Sequence, residues 1–115
     1  MADTHVDRDV LSALQDVMEE SYFELLDTFL ADSESRLREL EISDDAATLA
    51  DVAHSFKGSS SNMGAIRLAE LCHELEHQAR NSNAAATRKL VDDIHGEFAI
   101  VRPVYEEERQ RSHAH

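Results

Sequence analysis

Tyr22, Leu25, Leu26, Phe29, Leu30, Leu37 and Leu40 recur at three- and four-residue steps, the spacing that gathers side chains on one face of a helix turning about 100 degrees per residue. This pattern defines a helix over about residues 20–41, and the same period governs the rest of the chain. Val10, Leu11, Leu14, Val17 and Met18 mark a first short helix over about 7–18, with Asp7 as its N-cap. A third helix is expected over about 46–63, capped by Asp44 or Asp45 and ended by Gly64 in a left-handed conformation. The fourth, about 65–80, turns Ile66, Leu68, Leu71, Cys72, Leu75 and Ala79 inward until Asn81-Ser82-Asn83 breaks it. The fifth begins near Ala84 and uses Leu90, Val91, Ile94, Phe98 and Val101. Pro103 is expected to kink or stop it and to leave a charged, frayed tail over 106–115.

With three glycines, one proline and no β-branched cluster, no segment competes as a strand. The expected fold is all-α: an antiparallel up-down four-helix bundle with an additional short N-terminal helix. At 115 residues the chain makes a single domain over 1–115, its core lying within about 6–101.

Charge and cysteine use narrow the partners. A net charge of −13 disfavours a nucleic-acid ligand, because a phosphate backbone requires clustered Lys and Arg. The one cysteine, Cys72, forms no internal disulfide, and its place on an apolar stripe points to a buried, reduced thiol in a cytoplasmic protein. No run of 18 apolar residues and no leader pattern occurs, so neither membrane insertion nor secretion is expected.

The third helix carries the chemistry. Leu49, Val52, Ala53, Phe56, Ser60 and Met63 fall on its core side, and His54, Lys57, Gly58 and Ser61 on the other. A glycine inside a helix costs about 1 kcal/mol relative to alanine, so Gly58 is there for something other than local stability. One turn after His54, it removes a side chain that would crowd the ring.

The pattern His-x-x-Lys-Gly-Ser-x-x-x-x-Gly-Ala, standing here as His54, Lys57, Gly58, Ser59, Gly64 and Ala65, resembles the histidine-containing phosphotransfer (HPt) domains of bacterial multistep phosphorelays. Leu68, Leu71, Cys72, Leu75 and Glu76 resemble the family's next helix, and the likeness extends over roughly residues 6–101, which implies a stand-alone member. The resemblance implies that His54 accepts a phosphoryl group, that Lys57 is the cation beside it, and that Gly58 leaves clearance for an incoming receiver domain. Glu76 falls where the family hydrogen-bonds the imidazole. His73, three residues earlier, matches a second histidine of the chemotaxis-kinase phosphotransfer domain, and Ser61 and Arg80 lie on the implied docking side. The implied partners are receiver domains of hybrid histidine kinases and response regulators, met by a monomer.

Elementary chemistry agrees with that role. An imidazole near neutral pH keeps a free lone pair, and a Glu76 carboxylate accepting from Nδ1–H would leave Nε2 as the nucleophile. No glycine loop for cradling nucleotide phosphates precedes a helix. The chain is therefore expected to be a phosphotransfer protein without kinase activity of its own, needing no cofactor, with Mg²⁺ held by the partner's receiver domain.

Two other readings deserve weighing. His73-Glu74-Leu75-Glu76-His77 satisfies the H-E-x-x-H signature of zinc proteases, with Glu97 as an available third ligand. Such sites need a substrate-aligning strand, which nothing here supplies, so no metal is expected. A non-catalytic acidic helical interaction module is compatible with the charge, yet acidity at this level is common on solvated helical surfaces.

Overall fold

The computed structural model describes residues 5–113. Five α-helices follow in order: α1 Arg8–Met18, α2 Tyr22–Ile42, α3 Ala46–Asn62, α4 Ile66–Arg80 and α5 Ala84–His113, with a 3₁₀ turn at Glu19–Ser21 between the first two. Among the described residues there is no strand. Helices α2–α5 close a four-sided bundle in which α3 lies between α2 and α4, and α5 between α4 and α2.

Local chemistry sets the ends. The Asp7 carboxylate accepts from Asp9 N–H at 3.0 Å and starts α1. Asp45 accepts from both the backbone N–H and the hydroxyl of Thr48, at 3.1 and 2.8 Å, and starts α3. Those same bonds hold the Asp45 carboxyl below its ordinary range.

At the other end of α3, Gly64 takes φ +76°. Its N–H donates to Ser61 O and the Ala65 N–H to Ser60 O, the paired bonds that close a helix through a left-handed residue. The end of α4 repeats the device with Ser82 at φ 57°, Ser82 donating to Ala79 O and Asn83 to Gln78 O. Asn83 then caps α5 through its side-chain oxygen and Ala86 N–H at 3.1 Å.

The core is the interior of the bundle: Leu26, Phe29, Leu37 and Leu40 of α2, Leu49, Ala53 and Phe56 of α3, Leu68, Cys72 and Leu75 of α4, and Ile94, Phe98, Val101 and Tyr105 of α5. Burying each larger side chain contributes roughly 1.5–3 kcal/mol. Cys72 belongs to this packing, and its burial pushes the thiol up to about 12, so it is neither a nucleophile nor a ready metal ligand. Ser60, on the core side of α3, is fully buried as well.

Three expectations are corrected. Val17 is 79% exposed and Ile66 39%. Helix α1 turns Leu11, Leu14 and Met18 towards the bundle and lays Val10 against Gly64, and Ile66 sits at the outer edge of the first turn of α4. Pro103 does not end α5, and the tail does not fray from residue 106: the helix runs through to His113.

The reasons are tertiary. Pro103 and Ala99, the residue whose carbonyl loses its helical donor, are both exposed, so water can satisfy that carbonyl. Beyond Pro103 the helix is tied down. Tyr105 is fully buried, stands edge-on to the Phe29 ring at 4.9 Å, and donates its hydroxyl proton to Met63 O at 2.7 Å. Buried Glu108 accepts from Tyr22 hydroxyl at 3.0 Å and pairs with Arg111. Residues 114–115 of the expected tail lie outside the described residues.

The N-terminal segment also does more than lead into α1. Val6 is fully buried. Asp7 N–H donates to Gly64 O at 2.7 Å, and His5 O accepts from Ile66 N–H at 3.0 Å. The strap thereby pins the α3–α4 turn.

Candidate functional site

Helices α3 and α4 run side by side and antiparallel across the Met63–Ala65 turn, so a residue two turns before the end of α3 stands opposite one late in α4. His54 and Glu76 meet in this way. His54 Nδ1 lies 3.1 Å from Glu76 Oε2, while the ring, on the face turned away from the core, is 66% exposed.

Glu76 is the hub of the cluster and is only 13% exposed. Lys57, one turn after His54, donates from Nζ to Glu76 Oε1 at 3.0 Å. Arg80, one turn after Glu76, donates from Nη2 to Oε2 at 3.1 Å. The Lys57 hydrogen bond is the main reason the Glu76 carboxyl is lowered to about 2. The Arg80 bond and the charges of Lys57 and His54 add to it, and burial opposes it.

A protonation state follows from this. At neutral pH Glu76 is ionised and can only accept hydrogen bonds. Its contact with His54 therefore calls for a proton on Nδ1, and in the neutral ring that leaves the lone pair on Nε2. The ring is held by one nitrogen and offered by the other.

Gly58 adds open space. A Cβ built there would meet nothing within 4 Å, so no packing inside the protein demands a glycine. Ser61 and His73 are exposed and line a shallow groove with Lys57, but neither joins the hydrogen bonds around Glu76. Ser59 donates its hydroxyl to Phe56 O and faces its own helix.

Of the seven candidate residues, the structure brings His54, Lys57, Glu76 and Arg80 into one bonded cluster with Gly58 beside it, and leaves Ser61 and His73 at its margin. What sequence reasoning did not find is the bond of Arg80, placed on the docking side, to Glu76. The four-residue spacing of glutamate before arginine on a helix is the signal that points to this pair.

The zinc-protease motif does not assemble. His77 Nε2 lies 3.2 Å from Asn81 Nδ2, Glu74 accepts from Gln78, and Glu97 is buried against His5 Nδ1 at 2.7 Å. Among the described residues no three His, Cys, Asp or Glu side chains are grouped to hold a metal ion. A cleft of about 350 Å³, lined by residues such as Leu40, Leu49, Thr87, Val91 and His95, contains none of the seven candidates. The His54 ring stands on an open surface, where a small molecule would find no enclosure but another protein could dock.

Comparison with known proteins agrees with this geometry. Residues 24–104 match the family model described as Hpt domain. The chain is similar to a solved structure, histidine-containing phosphotransfer protein B (HptB) from Pseudomonas aeruginosa PAO1, at 51% identity and a TM-score of 0.90, over 93% of this chain and 96% of that one. No curated protein matches it significantly.

Proposed function

The chain belongs to the Hpt domain family, the histidine phosphotransfer proteins of two-component phosphorelays, and on that premise we propose that His54 is its phosphoacceptor. Hpt domains partner with receiver domains and response regulators. In this reading His54 takes the phosphoryl group from the aspartyl phosphate of a hybrid sensor kinase's receiver domain and hands it to a response regulator. The observation that carries the assignment is the ring itself, exposed, fixed at Nδ1 by an ionised carboxylate and free at Nε2.

The chemistry follows from those contacts. The Nε2 lone pair attacks phosphorus, the N–P bond forms as the acyl phosphate O–P bond breaks, and the receiver carboxylate leaves with the electron pair. Positive charge grows on the ring, and the Nδ1–H bond to Glu76 takes it up, as a buried carboxylate does for other reacting histidines. Lys57 lies beside the ring on the same face and offsets part of the arriving phosphoryl charge. Gly58 keeps the approach clear for the receiver surface.

Mg²⁺ belongs to the receiver domain in this scheme, and none of the residues around His54 is asked to hold it. We place the protein in the cytoplasm as a monomer. No helix among the described residues is long and apolar enough to cross a membrane.

Incubation with a phosphorylated receiver domain tests the assignment. The wild-type protein should gain a label that is lost in acid and persists in alkali, and His54→Gln should gain none. Equal labelling of the two proteins would overturn it.

A further inference from the structure

Glu76 is gripped by two cations, Lys57 on Oε1 and Arg80 on Oε2. The second, Arg80, is 59% exposed yet turns its guanidinium inward onto Oε2, the same oxygen that faces His54 Nδ1. Resting on the phosphotransfer reading above, we propose that Arg80 is a positioning residue for the transfer: it fixes the orientation of the Glu76 carboxylate and so selects the Nδ1–H form of His54.

A glutamate carboxylate turns easily about its last torsion, which is broad and roughly two-fold. The lysine ammonium on Oε1 is a point charge whose three donors rotate freely, so it anchors one oxygen without setting the carboxylate plane. A donor on Oε2, the other oxygen, supplies the second point that a plane needs. Glutamate followed four residues later by arginine is also the favourable order of such a pair on a helix. Arg80 has no hydrogen bond to His54, and its influence on the ring must pass through Glu76.

The alternative is that Arg80 is a contact for the partner, and the two differ in what they change. Arg80→Gln, Arg80→Lys, Glu76→Gln and the double variant Glu76→Gln/Arg80→Gln should be compared in two measurements. One is phosphotransfer as a function of receiver concentration; the other is the ¹⁵N chemical shifts of the His54 ring in the free protein. Arg80→Gln should lower the limiting rate about two- to fivefold, the scale an exposed ion pair allows, and leave the half-saturating receiver concentration unchanged. Its ring shifts should move towards a mixture of tautomers. Lysine should restore most of both properties, and in the Glu76→Gln background removal of Arg80 should have no further effect.

A change confined to half-saturation, ring shifts identical to wild type, or an equal loss in the Glu76→Gln background would each overturn the proposal. Failure of the underlying reading looks different: His54→Gln would then accept phosphate as the wild type does.

Discussion

Replacing Gly58 by alanine should make the protein more stable and a poorer phosphotransfer partner. Gly58 lies within α3, and a Cβ there meets nothing within 4 Å, so the helix-propensity gain of about 1 kcal/mol arrives with no packing cost to offset it. For a chain of this size that is a rise in melting temperature of about 4–6 °C. Gly96, inside α5, is equally open, and Gly96→Ala should gain a similar amount.

Only Gly58 borders the reacting ring. Docked protein surfaces pack at interior density, where an added methyl group costs roughly 1–3 kcal/mol. The half-saturating receiver concentration for Gly58→Ala should therefore rise about five- to 150-fold, while Gly96→Ala transfers like the wild type. Thermal unfolding and receiver titrations on the two variants make the comparison. If Gly58→Ala melts below the wild type, the open space at this position is misjudged. If it melts higher and transfers normally, the clearance argument is wrong.

Other consequences are as concrete. Gly64→Ala should lose about 2–4 kcal/mol in urea unfolding, because φ is +76° and its Cβ would stand 2.9 Å from Asp7 O and 3.0 Å from Val10 Cβ; a loss under 0.5 kcal/mol would contradict the strap geometry. Tyr105→Phe leaves the Met63 carbonyl without its 2.7 Å side-chain donor and should cost about 1–2 kcal/mol by the same assay; an unchanged stability would mean that the end of α5 is not anchored there. Glu76 has a lowered folded-state pKa of about 2 against an ordinary 4.5. Its contribution to stability is therefore complete above about pH 4.5 and is lost as the pH falls through about 2. The stability difference between wild type and Glu76→Gln should shrink over that interval, and a difference independent of pH would count against the ion-pair cluster.

The helices were legible because their signals are local. Asp7, Asp45, Gly64 and Asn81-Ser82-Asn83 act within a few residues of where they stand, and the apolar period needs only a two-turn window. Of the site, His54, Lys57 and Gly58 share a face of one helix, which spacing reveals. Glu76 was reachable only by resemblance, since its meeting with His54 depends on how two helices pack.

What escaped notice depends on contacts distant in sequence. Pro103 reads as a stop, and nothing near it announces that Tyr105 will reach Met63 or that Glu108 will meet Tyr22, 86 positions away. Val17 and Ile66 satisfy the helical period, but each stands near the end of its element, where the packing covers it incompletely.

His54, Lys57, Glu76 and Arg80 all sit on a single helical hairpin, which makes the reactive apparatus a local unit. Contacts between near neighbours in sequence form quickly, and helices rich in buried apolar side chains, as α3 and α4 are, open late. Backbone amides of α3 and α4 should thus rank with the slowest-exchanging in the molecule. A cell that wished to silence such a protein would gain little by loosening its extremities; it would have to cover the histidine.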